Sequence, residues 1–288
     1  MKKLLVIIIC FCLVFILVSC CNKITPNEPY DMNDGVVLGE YKEMEFTICS
    51  YNIKGGEATI ESVTKIKDNI ESVSADIAGL QEVDNMSKRT GKKDFLSIFK
   101  NNSYLNNVTY FALDLQNFGD TYGLAEVSKT KFDKIHSFKL PYPYNYEKPA
   151  VEKRIIIRSL VTINGIQIAF YNTHLSYEEV TMDNGTSLRK AQFDYILELL
   201  NSDPSKYKVI TGDFNVLNFS EYDTLLANGF KITNNSNKIY NTYRSDDSSF
   251  KAIDNIIYSD NLQLIFSDML EDNCSDHNML YAKFKTLK

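Results

Sequence analysis

The sequence predicts an α+β domain built in layers, and three observations carry the prediction. Short β-rich runs ending in a polar tip recur along the chain at Thr47–Asn52, Ile77–Glu82, Ile166–His174, Tyr207–Asn215 and Ala252–Ser259. Two segments repeat apolar residues at helical spacing: Ile60, Val63, Ile66, Ile70 and Val73, then Leu188, Ala191, Tyr195, Ile196 and Leu199. Asn164-Gly165, the dipeptide best suited to a type I′ turn, separates two β-rich runs, Arg154–Ile163 and Ile166–Tyr171, so antiparallel pairing is present. Helices that each press one face onto a mixed sheet follow from that combination.

In chain order, residues 1–20 read as a signal peptide: Lys2 and Lys3, an apolar run from Leu4 to Val18, then Ser19-Cys20. The run fits a secretory h-region and is short for a membrane span. Leu17-Val18-Ser19-Cys20 resembles the bacterial lipoprotein signal, which makes Cys20 the lipidated residue and places the chain outside the cytoplasm, anchored to an envelope membrane; an uncleaved anchor is the alternative. Residues 21–43 hold Pro26, Pro29 and Gly35 among Asn, Asp and Lys and read as a flexible tether. Residues 44–288 have no low-complexity break and are expected to form one large domain. Only Cys49 and Cys274 of the six cysteines fall there, in apolar strand-like contexts where buried thiols are the expectation.

The formal charge is −6, and −8 once Lys2 and Lys3 leave with the signal, so bulk electrostatics would not draw the chain onto nucleic acid. Two local clusters, Arg89 with Lys92 and Lys93, and Lys129 with Lys131 and Lys134, read as solvated surface. The polar tips are another matter. Asn52, Glu82, His174, Asp213, Asn215, Asp254, Asp276 and His277 supply carboxylates, amides and imidazoles, which suit a hard divalent cation and phosphoryl oxygens rather than a structural zinc. Two of the three histidines belong to this set, and His136 stands apart from it. Brought to one rim of a sheet, the set predicts hydrolysis of a phosphate ester.

The order SYNI, LQEVD, YGLAEVSK, NTHLS, TGDFN, AIDNI and SDHNML resembles the endonuclease/exonuclease/phosphatase superfamily from about Met44 to the carboxyl end. The most specific pieces are Gly212-Asp213-Phe214-Asn215 and Ser275-Asp276-His277. The resemblance implies a four-layer, DNase I-like sandwich: two packed, mostly antiparallel sheets flanked by helices. It also implies Mg2+ or Mn2+ held mainly by Glu82 with Asn52 and Asp276. His174, Asp213, Asn215, Asp254 and His277 would be catalytic, with Asp213 a general base, Asp254 bonded to His277, and His174 a donor to phosphate. Tyr122 and Arg154 are substrate-binding candidates. Two positions depart from the pattern: Leu124 replaces an Asn that can orient the first histidine, and Asn255 replaces a Tyr.

Within that class a nuclease or other phosphodiesterase is the first choice, nucleic acid being preferred to phospholipid as the substrate. A phosphoinositide or phospholipid head-group esterase is the alternative, favoured by the tether. A non-catalytic surface lipoprotein with the same fold is the third reading, and it predicts loss of ligand residues, which are all present. The chain lacks Trp, and no stacking platform can be read from its Tyr and Phe. No protein partner is inferable.

Overall fold

A computed structural model of the protein describes residues 29–113, 122–143, 151–244 and 250–288. Cys20, the expected lipidation site, lies outside the described residues.

In chain order the strands are β1 (Glu45–Asn52), β2 (Ile77–Asp84), β3 (Asn107–Ala112), β4 (Tyr122–Ser128), β5 (Phe132–Lys139), β6 (Ile155–Ile163), β7 (Ile166–His174), β8 (Tyr207–Asp213), β9 (Phe230–Ile232), β10 (Tyr243–Arg244), β11 (Phe250–Lys251), β12 (Asp254–Ser259), β13 (Leu262–Leu270) and β14 (Met279–Thr286). The α-helices are α1 (Ile60–Ser72), α2 (Leu96–Asn102), α3 (Leu188–Ser202) and the single turn α4 (Asp223–Leu226). One six-stranded sheet runs β13-β14-β1-β2-β4-β3 and a second runs β5-β6-β7-β8-β12-β9, with β10-β11 as a small ribbon. Only β1–β2 and β7–β8 pair in parallel. Both sheets are therefore mixed and mostly antiparallel.

The layers follow from side-chain alternation. In β1, Phe46 and Ile48 point to the second sheet and join Ile168, Phe170, Val209 and Ile256 in the buried seam between the sheets. Cys49 and Tyr51 point the other way, onto Val63, Ile66 and Ile70 of α1 and Phe99 of α2. On the far side, Phe193, Ile196 and Leu200 of α3 cover Leu160, Ala169 and Ile210. Each fully buried aliphatic or aromatic side chain contributes about 1.5–3 kcal/mol, so these three clusters fix the four-layer order. The predicted helices and the Asn164-Gly165 turn form where expected; the turn residues have φ 50° and 87°, as a type I′ turn requires. Thr59 and Ser187 start α1 and α3 by accepting from the backbone N–H groups of Ser62 and Lys190.

Part of the stretch read as a tether packs on the domain. Tyr30 stacks on His136 of β5 with ring centroids 4.0 Å apart, Met32 is buried in the α3-side core, and the Met32 carbonyl accepts from Arg158 at 3.0 Å. One apolar residue flanked by Asp and Asn gives no periodic signal, so the packing was invisible in the sequence. Cys49 and Cys274 are free thiols, the first buried and the second partly so.

Candidate active site

Parallel pairing brings the carboxyl ends of β1 and β2, and of β7 and β8, to one rim, so Asn52, Glu82, His174 and Asp213 arrive there together. Antiparallel pairing of β8 with β12 sets Asp254 directly opposite Asp213. The segment leading into β14 delivers Asp276 and His277, held in place by β10: Arg244 N donates to the Asp276 carbonyl at 2.9 Å, and Tyr243 packs on the His277 ring.

Asp213 is the hub. Asn52 Nδ2 donates at 3.0 Å to Asp213 Oδ2 and at 3.0 Å to Glu82 Oε1, tying the two sheets' carboxylates together. The same Asp213 oxygen lies 3.4 Å from His174 Nε2 and 3.7 Å from His277 Nε2. Burial and the nearby charge of Asp254 push the Asp213 carboxyl well above the usual carboxylate range. Asp254 Oδ2 meets His277 Nδ1 at 2.7 Å. Burial opposes charge on that ring, but Asp254, with Asp213 and Asp276 behind it, outweighs burial and raises His277 to about 10. His174 goes the other way: burial, Arg154 and His277 hold it well below the ordinary imidazole value.

Several expected roles take a different geometry. Asn215 follows the end of β8 in a left-handed turn, φ 50°, not in an extended strand, and its backbone N donates to Asp213 Oδ1 at 3.0 Å. Its amide donates to the Leu175 carbonyl at 3.1 Å and reaches His174 Nε2 at 3.1 Å. That contact leaves the Nε2 lone pair as acceptor, so neutral His174 carries its proton on Nδ1 and offers no Nε2–H to a phosphate. Asn215 thus supplies the partner that Leu124, buried in β4, does not. Asn52 accepts from Lys54 N through its amide oxygen, so it turns its hydrogens, not its oxygen, toward the carboxylates. Asp276 lines the same cavity but pairs with Lys54 Nζ at 3.3 Å. Among the described residues, the groups close enough to share a cation are Glu82 with His174 and Asp213, and Asp213 with Asp254 and His277. The first set, two carboxylates and a neutral imidazole, fits a hard divalent ion; in the second, His277 is kept protonated by Asp254 and offers no lone pair, and Asp276 lies outside both. Phe214 goes to the core as its alternation with Asp213 requires, stacking on Phe193 at 5.9 Å. Asn255 accepts from Thr233, Asn234 and Ile256 backbone N–H groups and fastens β12 to the chain after β9.

Glu82, His174, Asp213, Asn215, Asp276 and His277 line a cavity of about 560 Å3. Tyr122 and Arg154 both line it. Arg154 is 2% exposed and bonds Glu152 at 3.0 Å, while its Nε and one terminal nitrogen have no acceptor among the described residues. Burial opposes its charge, and Glu152, Tyr122, Glu178 and Glu82 overcome that opposition. Sequence reasoning missed Lys54, Tyr177, Tyr243 and Lys251, which also line the cavity. Lys54 was findable two residues after Asn52; Tyr243 and Lys251 sit on the small ribbon and carry no local signal.

A fold of two helix-covered sheets with this carboxylate–imidazole rim defines a hydrolytic phosphoesterase. The chain belongs to the endonuclease/exonuclease/phosphatase family, whose model matches residues 49–277. Members are typically divalent-metal dependent. Solved structures give the same fold. An endonuclease/exonuclease/phosphatase from Beutenbergia cavernae superposes with TM-score 0.66 at 16% identity, over 84% of this chain and 72% of that one. A D. rerio TDP2 complexed with single-strand DNA product gives 0.64 at 16% identity, over 84% and 99%. A mannosyl-6-phosphatase from Bacteroides thetaiotaomicron gives 0.61 at 17% identity, over 83% and 99%. No curated protein matches this chain.

Proposed function

We propose that this protein is a divalent-metal-dependent phosphodiesterase of the nuclease type, working outside the cytoplasm from a lipid anchor at Cys20. The observation that carries the hydrolytic reading is the sharing of Asp213 between the Glu82–His174 and Asp254–His277 groups. A bound Mg2+ or Mn2+, held mainly by Glu82, would neutralise phosphoryl charge and stabilise the leaving oxygen. Asp213 takes a proton from the attacking water, for which its raised pKa is suited. His277, kept charged by Asp254, stabilises the negative charge that builds on the phosphoryl oxygens. Asn215 fixes the Asp213 carboxylate through its backbone N–H and holds the neighbouring His174 ring through its amide. The bond to the alcohol oxygen breaks, leaving a phosphate monoester.

Two of the structural neighbours, one bound to a single-strand DNA product and one named as a mannosyl-6-phosphatase, support a phosphate ester of either kind. The test is turnover by the purified chain from Asn22 onward. Substrates are plasmid, single-stranded DNA, RNA, phosphoinositides, sphingomyelin, mannose 6-phosphate and a chromogenic phosphodiester, each with Mg2+, Mn2+ or EDTA. EDTA-sensitive cleavage of diesters is the expected result. Preference for a monoester or lipid would replace the nuclease reading, and no turnover of any of them would favour a binding lipoprotein.

A further inference from the structure

We infer that the loop after β2 is a docking surface for the phosphate backbone of a single-stranded nucleic acid, continuous with the catalytic cavity. This rests on the phosphodiesterase reading above and extends it to what lies beyond the scissile phosphate.

Within the stretch Lys88-Arg89-Thr90-Gly91-Lys92-Lys93, only Thr90 and Gly91 are uncharged, and Met86 to Lys93 contains no carboxylate. The loop is braced rather than slack. Met86 N donates to the Lys93 carbonyl at 2.8 Å, Lys92 N to the Ser87 carbonyl at 2.7 Å and Gly91 N to the Lys88 carbonyl at 3.1 Å. At its root Arg89 pairs with buried Asp84, the last residue of β2 and two residues beyond Glu82. From there the Arg89 side chain lines the cavity and lies over the Tyr122 ring at 5.3 Å.

The remaining cations face water without a partner. Lys88, Lys92 and Lys93 are exposed and have no ion pair among the described residues. Other exposed lysines, Lys65, Lys100, Lys131 and Lys231, also lack an ion pair among the described residues, but they are scattered, whereas these three fall within six residues beside a cavity-lining arginine. Three uncompensated charges on a rigid loop, with a fourth pointing into the site, match a row of phosphates that begins at the reacting one. Tyr177, 62% exposed, lines the cavity with Arg154 and Tyr122 and offers a face on which an unpaired base can stack. Of the cavity's carboxylates outside the catalytic set, Glu57 pairs with Lys54 at 3.1 Å and Glu152 with Arg154 at 3.0 Å, while Glu179 has no ion pair among the described residues. On a chain with net charge −6, the loop gathers four cations next to the cavity, one of which, Arg89, lines it.

The experiment compares the wild-type chain from Asn22 onward with a triple variant, Lys88→Ala, Lys92→Ala and Lys93→Ala, and with the matching triple Lys→Arg variant. All three positions are exposed and outside the catalytic set. Binding of a fluorescein-labelled single strand about a dozen nucleotides long is measured by anisotropy in EDTA, so no turnover is required. Cleavage of a small chromogenic phosphodiester is measured separately with Mg2+. The alanine triple should weaken strand binding at least about tenfold and flatten the slope of log Kd against log salt by about 2, while the arginine triple binds as wild type. Turnover of the small diester should be unchanged. Undiminished strand binding in the alanine triple would overturn the docking surface. So would weaker binding to anionic vesicles with strand binding intact, which would assign the loop to a lipid surface. Failure of wild type to cleave any diester, with strand binding still loop-dependent, would sink the phosphodiesterase reading and leave the surface standing.

Discussion

His277 and His174 lie within reach of the same Asp213 oxygen and are driven to opposite charge states. Burial disfavours charge on both rings; at His277 the bonded Asp254 outweighs it, whereas at His174 the fields of Arg154 and His277 add to it. Replacing either active partner should be costly. His277→Ala and Asp213→Ala are each expected to slow hydrolysis by at least about a hundredfold, the scale of charge-stabilising and acid–base groups, measured as kcat on the preferred diester. Unchanged turnover in either variant removes that role. Arg154→Ala should act mainly on KM, raising it by about tenfold or more, because its permanently charged guanidinium lines the cavity and can attract an anion but cannot transfer a proton. A fall in kcat at constant KM would contradict that assignment. At this scale the chemistry was legible, since residue types alone named Glu82, Asp213 and His277. Which hydrogen faces which oxygen was not, because Asn52 and Asn215 can present either end of an amide and only the packed neighbours decide.

Among the elements, the ends of strands carry the backbone strain. Glu82 has φ 55° at the irregularity where β2 shifts register against β4, and Asn215 and Lys54 also hold positive φ. Such a conformation costs a residue with a side chain roughly 1–2 kcal/mol, and three of the seven non-glycine cases among the described residues lie on this rim. Comparing Glu82→Gly with Glu82→Ala isolates the effect. Both lose activity, but the glycine form should be more stable by about 1 kcal/mol, read as a higher Tm in EDTA. Equal melting of the two would show the bend to be unstrained. The Asn164-Gly165 hairpin was legible because its conformation is written in two adjacent residues. The Glu82 bend was not, because Ile77–Glu82 reads as an ordinary strand and the irregularity arises from pairing with β4, far along the chain.

At the scale of the whole molecule, the two sheets meet through polar contacts as well as apolar ones. Gln81 donates to Asn172 at 2.7 Å and Asn172 donates to the Leu80 and Ala125 carbonyls, crossing the seam beside the site. At Gly79 a Cβ would fall 2.1 Å from Thr211 Oγ1, so only glycine allows the sheets this approach. Glu126 of β4 is buried in the same seam with the Ser159 hydroxyl as its partner, and burial raises its carboxyl to about 8. The folded state therefore keeps a proton that the unfolded chain releases near the ordinary glutamate value of 4.5. Between those values stability should fall as pH rises, by up to about 1.4 kcal/mol per unit. Glu126→Gln should flatten that decline, giving a smaller Tm difference between pH 5 and pH 8 than wild type. An unaltered difference would show that Glu126 is ionised in the fold. That helices cover mixed strands was readable from alternation and helical period, and the order of two packed sheets between helices from the family resemblance. The polar seam was not, since Glu126 in YGLAEVSK sits among apolar residues and nothing in the sequence says which sheet will cover it.

The docking of Tyr30 and Met32 along the second sheet sets the reach of the lipid anchor proposed at Cys20. The nine residues from Cys21 to Pro29, even stretched out, would span at most about 30 Å. On that proposal the enzyme would patrol a thin shell above the bilayer, meeting strands that drift to the cell surface and leaving untouched those in the surrounding medium.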